Sequence, residues 1–276
     1  MTEAPPGLAI AGGPRAGAAR LAPAQYGNVA FLLSFVLLIG LWQLSGRFMN
    51  AIFISTPSAV AAALAEILTN GKLVSAFIQS AAEMGLGVAI ASVVGISLGI
   101  VMGRARLVER TLEPLVNFAN ATPTIALLPL MEIWFGLGMA ARVAFVVIIC
   151  IWTLLINTLT GVKNVSSGYR DVAKSFGLSG FQSTRDVFVP AAMPYILAGL
   201  RIGLAQAAVG MILSGQEIGE AGLGGLTMEY ATFYQTGYLI AAILASTGLA
   251  MLAFGALRFY QTRAHPWIAA SAAARR

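Results

Sequence analysis

Apolar runs separated by short polar stretches set the pattern of this chain. A membrane-crossing helix takes roughly 20 mainly apolar residues. Six runs approach or reach that length, at residues 29–45, 84–103, 114–137, 143–162, 191–216 and 238–257. The second, fourth and sixth hold no charged residue. The third is interrupted by Pro123 and Pro129 and contains Glu132, and the fifth contains Arg201. Both are expected to be irregular. At membrane depth such irregularity persists only where it is packed in protein or lines a cavity.

Between the first two runs, "STPSAVAAALAEILTNGK" predicts a short helix, with Thr56 as its cap, Pro57 in its first turn and Asn70-Gly71 at its end. Its apolar face suits the outer membrane interface. Within the second run Gly95, Gly99 and Gly103 recur every fourth residue, a stripe that admits another helix at close range. No internal repeat divides the chain. A disordered tail is expected over residues 1–25, a single membrane domain over 26–264 and a second tail over 265–276.

Composition sharpens the class. Hydrophobic residues make up 58% of the 276 and charged residues 10%, against about 25% charged in soluble domains. The net charge of +6 is therefore read as a membrane topology signal rather than as a nucleic-acid surface. With both termini inside, thirteen Lys and Arg fall on the cytoplasmic side, only Arg47, Lys72 and Arg142 fall outside, and Arg201 lies within a span. Glu66, Glu220 and Glu229 lie outside. Trp42, Trp134 and Tyr238 are expected to anchor the chain at the interfaces. Cys150 stands alone in an apolar run and reads as a small buried side chain.

Several chemistries lack their residues. There is no phosphate-binding loop ending in Lys-Ser/Thr, no cysteine cluster and one histidine, His265. No metal site, no catalytic residue and no cofactor of this chain is expected, which leaves transport or interaction.

The polar stretch "DVAKSFGLSGFQSTRDVFVP" lies between two apolar runs and faces the cytoplasm on this topology. Gly177 suits a left-handed helix end. Small Val172 and Ala173 let a short helix settle against a partner, and Phe181, Val187 and Val189 offer apolar contacts. Pro190 opens the next membrane helix, where its missing N–H costs nothing. The reading is a helix–turn–helix elbow within a loop over 163–190.

Here the sequence resembles a known family, the permease subunits of bacterial binding-protein-dependent ABC importers. Their cytoplasmic motif runs Glu-Ala-Ala, three residues, Gly, nine residues, Ile-x-Leu-Pro. This chain has Asp171-Val172-Ala173, then Gly177, then Val187-Phe188-Val189-Pro190 at the same spacing. The segments "GISLGIVMGRARLVERTLEPLV", "TPTIALLPLMEIWFGLG" and "AGLGGLTMEYATFYQTG" are similar to the nitrate, sulfonate, taurine and bicarbonate group. The resemblance extends from about Phe53 to Arg263.

It implies an all-α polytopic membrane protein of the type I importer permease fold, with about six transmembrane helices, in the bacterial inner membrane. It further implies a homodimer among membrane lipid, two ATP-binding cassette subunits that hold the ATP and Mg, and a periplasmic solute-binding protein. Asp171, Val172, Ala173, Gly177, Leu178, Val187, Val189 and Pro190 would then couple to the ATPases. The solute would be a sulfonate, taurine, nitrate or similar small organic or oxyanion, or alternatively a nitrogen-containing vitamin precursor or aromatic compound. A stand-alone secondary transporter would also explain broken helices with charges, but it predicts inverted repeats and gives no reason for the elbow.

Candidate pathway residues come from polar groups at membrane depth, where each charge is costly and points to function or pairing. Arg201 either touches solute or forms a structural pair or helix cap. Glu132 either lines the pathway or pairs with Arg142 or Arg201. Asn117, Asn120, Thr122 and Thr124 flank Pro123 and bond either solute or freed backbone. Gln206 and Glu217 complete the set. Relatives commonly carry an acid about where this chain has Gly215, so Glu217 departs from their position.

Overall fold

A computed structural model describes residues 24–46, 48 and 54–264. It is all-helical among these residues. The helices are α1 (Ala24–Ser45), α2 (Pro57–Thr69), α3 (Lys72–Arg104), α4 (Arg106–Ala121), α5 (Leu128–Phe135), α6 (Met139–Lys163), α7 (Ser167–Ser175), α8 (Gly180–Ser183), α9 (Val189–Glu217), α10 (Gly222–Thr232) and α11 (Thr236–Ala264). A 3₁₀ turn, Thr124–Leu127, precedes α5, and a π turn, Thr184–Phe188, precedes α9. The expected tails lie outside the described residues, except that Ala24 and Gln25 already belong to α1.

Four helical segments are long and apolar enough to cross a membrane: Lys72–Arg104, Met139–Lys163, Gly180–Glu217 and Thr236–Arg263. They correspond to the second, fourth, fifth and sixth expected spans. The first corresponds to α1, of 22 residues. The third is split into α4, the 3₁₀ turn and α5. Pro123 has no N–H to continue the ladder, and it disfavours helical geometry at the residue before it. Thr122 accordingly sits extended, with φ −69° and ψ 131°.

The predicted caps of α2 are present. Thr56 Oγ1 accepts from Ala59 N at 3.3 Å, Pro57 opens the helix, and Gly71 is left-handed with φ 77°. The polar ends of Trp42 and Tyr238 bond within the protein. Trp42 Nε1 donates to Ser55 O at 2.9 Å, and Tyr238 Oη donates to Glu66 Oε2 at 2.6 Å. The first ties α1 to the segment just before α2 and the second ties α11 to α2, whereas Trp134 is 63% exposed.

The centre of the body is α6, packed between α3 and α9. The glycine stripe explains the first of these contacts. A Cβ at Gly95 would stand 2.9 Å from Ile151 O, one at Gly99 2.7 Å from Leu155 O, and one at Gly103 2.7 Å from Val162 Cβ. Hydrogen at those positions lets the α3 and α6 backbones meet, and dispersion contacts along the seam replace the missing side chains. Ala91, Phe145, Val146, Cys150 and Leu154 are fully buried nearby.

Two features depart from the expected pattern. The second apolar run starts at residue 84, one residue too late to include Glu83. The helix in fact begins at Lys72, and Glu83 is fully buried. The segment after Glu217, outside the expected spans, folds back as α10 against α3, α9 and α11. Glycines permit that return: a Cβ at Gly215 would stand 2.5 Å from Ala221 O. No side chain fits there, which is a steric reason for the missing acid at this position.

Candidate functional site: a helical elbow tied to the membrane helices

The elbow forms as a turn between α7 and α8. Gly177 is left-handed, with φ 63°. Its N–H donates to Lys174 O at 2.9 Å, and Leu178 N–H donates to Ala173 O at 3.1 Å. This reciprocal pair satisfies the last carbonyls of α7 and is the Schellman arrangement. Ser179 then caps α8 in a capping box: Gln182 N donates to Ser179 Oγ at 3.3 Å, while Ser179 N donates to Gln182 Oε1 at 3.0 Å. Four residues, Phe176 to Ser179, thus stop one helix and start the next.

The helix beyond this cap differs from the expected fresh start at Pro190. From Gly180 to Glu217 the chain is one continuous helical rod. Val189 N–H reaches back five residues to Thr184 O through the π turn. Wider turns of this kind rearrange the ladder where a proline must be accommodated, and Pro190 sits in the first positions of α9. The elbow and the membrane-crossing part of α9 thus belong to one helical segment.

The elbow is also tied to two other helices. Arg170 donates to Val165 O at 3.1 Å and to Lys163 O at 2.9 Å, placing a cation at the C-terminal carbonyls of α6, where the helix dipole favours it. The Arg104 guanidinium, ending α3, lies 3.9 Å from the centroid of the Phe188 ring, a cation–π contact. Phe188 is itself buried with Val162, Val165, Ala192 and Ile196.

Exposure corrects the expected use of one coupling residue. Ala173, expected to face a partner, is buried, and with Leu178, Arg104, Gly180 and Phe188 it lines a partly open cavity of about 280 Å³. Val187 packs beside Phe188. The helical period accounts for Ala173: the outward face of α7 carries Tyr169, Val172 and Phe176, at spacings of three and four, and residue 173 lies off it. Phe176 is 79% and Phe181 76% exposed. Of these outward groups, Tyr169 and Phe176 escape the motif-based reading; the i, i+3, i+7 spacing from Tyr169 is the signal that marks them. Asp171 and Gly177 are exposed as expected.

The pathway candidates do not converge on one pocket within the single chain. Asn120, Thr122, Thr124 and Glu132 sit along the α4–α5 break. Thr122 Oγ1 donates to Phe118 O at 3.0 Å, serving backbone. On α9, Gln206 accepts from Thr153 Oγ1 of α6 at 2.8 Å, whereas Arg201 donates to Gln261 Oε1 of α11 at 3.1 Å. Glu217 is exposed at the far end of α9. Glu132 pairs with neither expected arginine, because Arg142 binds Glu83 at 2.7 Å and Arg201 turns to Gln261. A largely apolar cavity of about 530 Å³ lies among α9, α10 and α11, with Gln216 bonded to Thr227 within it.

The architecture carries a family signature. The profile of the family described as "Binding-protein-dependent transport system inner membrane component" matches residues 91–265. The chain belongs to that family. As a permease it has curated relatives. A putative aliphatic sulfonates transport permease protein of Bacillus subtilis is 26% identical over 88% of this chain and 89% of its own length. A formylaminopyrimidine transport permease protein of Halalkalibacterium halodurans is 28% identical over 85% of this chain and 94% of its own. The taurine transport system permease protein of Escherichia coli is 33% identical over 63% of each. Among solved structures, the MetNI methionine ABC transporter in an inward-facing conformation superposes with a TM-score of 0.60 at 17% identity, covering 69% of this chain and 95% of that one. That likeness concerns the fold.

Proposed function

We propose that this permease forms the translocation pathway of an ATP-driven importer. Two copies assemble as a homodimer in the bacterial inner membrane with their termini in the cytoplasm. Each elbow docks on one ATP-binding cassette subunit, and a periplasmic binding protein delivers the solute to the opposite face. The observation that carries this reading is the elbow itself. It exposes Val172, Phe176 and Phe181 to a partner, while Arg170, Phe188 and the continuous α8–α9 rod connect it to α6, α3 and the membrane body. Exposed aromatic residues on a rigid support are the anchors that protein interfaces use. Closure of the ATPases would then swing α9 and open the pathway outward.

The solute is a small sulfonate, taurine, nitrate or like compound, in keeping with the sulfonate and taurine relatives. The formylaminopyrimidine relative favours a second reading, a nitrogen-containing vitamin precursor. The test is uptake into proteoliposomes holding the permease, its ATPase and its binding protein. Uptake that requires ATP and all three components is expected. Uptake driven by an ion gradient with the permease alone would favour a stand-alone secondary transporter. Crosslinking that trapped two different permease chains would overturn the homodimer.

A further inference from the structure

A second cluster of polar residues lies away from the elbow, where the middle of α9 meets the last turns of α11. Arg201, Phe254, Leu257, Arg258 and Gln261 line a cavity of about 400 Å³ there. Its hydrogen-bond inventory is one-sided. Arginine has donors only. The side-chain acceptor of Gln261, Oε1, already takes the bond from Arg201 Nη2 at 3.1 Å. That bond leaves Nε2 as a donor shielded from solvent, with no partner among the described residues. None of the lining residues is acidic, neither arginine forms an ion pair among the described residues, and the one acid of the sequence outside them is Glu3.

Two exposed arginines and a half-buried Gln261 therefore line one space that carries two cationic donor groups and no acidic side chain. A charge within a span, as Arg201 is, is retained for pairing or for function, and no acid pairs with it among the described residues. Guanidinium forks match the geometry of sulfonate, phosphate and carboxylate groups. We propose that Arg201, Arg258 and Gln261 form an oxyanion-binding site. Phe254 and Leu257 give it an apolar wall, so the ligand joins an anionic head to an uncharged part. Two sources present that chemistry: an anionic phospholipid of the adjoining leaflet, since basic pockets between membrane helices hold such headgroups, and a sulfonate-type solute in transit.

Inorganic sulfate serves as the probe, its binding measured by equilibrium dialysis on the purified full-length permease in an uncharged detergent. The informative variant is Gln261→Glu, which keeps the side chain's shape and gives the arginines an internal carboxylate. Sulfate binding to the unaltered chain, weakened at least tenfold by Gln261→Glu and by the Arg201→Gln, Arg258→Gln pair, is the expected result. Absence of sulfate binding, or equal binding by Gln261→Glu, overturns the site. Should the double arginine variant fail to insert, Gln261→Glu with an unchanged thermal midpoint decides alone. Displacement of sulfate by phosphatidylglycerol but not by taurine assigns the site to lipid, and the reverse assigns it to solute. The measurement involves neither ATPase nor uptake, so failure of the importer reading leaves it intact.

Discussion

Arg142 Nε donates to Glu83 Oε1 at 2.7 Å, with both side chains removed from solvent. Arg142 Nη1 also donates to Ile218 O at 2.9 Å, and Gln79 Nε2 reaches the same Glu83 oxygen at 3.3 Å. One ion pair thus fastens α3 to the start of α6 and to the turn after α9. Breaking a buried pair from one side typically costs about 3–5 kcal/mol, whereas replacing both partners with apolar residues is often neutral. Glu83→Leu and Arg142→Met should each lower the thermal midpoint of the purified permease, and the double variant should recover most of the loss. Additive losses would mean that the two charges act independently.

The Gly177 turn carries a prediction about coupling. A residue with a Cβ is penalised by roughly 1–2 kcal/mol in the left-handed region, and a β-branched one is the least accommodating. No atom lies within 4 Å of the position a Cβ would take, so the penalty is one of backbone conformation rather than of space. Gly177→Val should insert normally, yet lose most of its transport and its stimulation of ATP hydrolysis. Gly177→Asn, which tolerates this conformation better, should retain more of both. Full transport by the valine variant would remove the turn from the mechanism.

Arg170 makes a separate case, because it holds the elbow to α6 without lying on the outward aromatic face. Its guanidinium serves the carbonyls of Lys163 and Val165. Arg170→Gln shortens the fork and removes the charge. The expected outcome is an elbow that still binds the ATPase but moves loosely, so that ATP hydrolysed per solute transported rises severalfold. Loss of ATPase binding in a pull-down would instead place Arg170 in the docking surface itself.

The elbow is legible in the sequence because its signals are local. A glycine at a helix end and a proline at the start of the next membrane helix act through their own backbone neighbourhood, whereas the Ser179–Gln182 box is added by the structure. The α3–α6 seam is legible for a related reason, since three glycines at a spacing of four share one helix face and leave it open to a neighbour. The Glu83–Arg142 pair is not legible. Its partners are 59 residues apart, and Glu83 falls just outside the apolar run even though the helix begins at Lys72. The inward turn of Ala173 and the return of α10 likewise depend on which face another helix covers. Arg201 stands out in the sequence as a charge within a span, but its neighbours Arg258 and Gln261 come from the far end of α11, a meeting that spacing along the chain does not encode.

Glu132 yields the last prediction, about the solute. It is half-buried on α5, just beyond the break at Pro123, and its carboxylate has no ion-pair or hydrogen-bond partner among the described residues. The two arginines expected to neutralise it are engaged with Glu83 and Gln261. An unpaired carboxylate facing a pathway repels a bare anion, and the repulsion strengthens as the dielectric falls. It attracts an ammonium or an N–H donor instead. A solute that joins a positive group to its oxyanion, as an amino-sulfonate does, would meet attraction at Glu132 where nitrate meets repulsion. Uptake by the complete importer carrying Glu132→Gln should therefore fall severalfold for taurine while rising or holding for a plain alkyl sulfonate. The comparison is made with the native binding protein at saturating solute, so that the change reports the pathway rather than delivery. Equal rates for both solutes, unchanged from the unaltered chain, would place the Glu132 carboxylate outside the path.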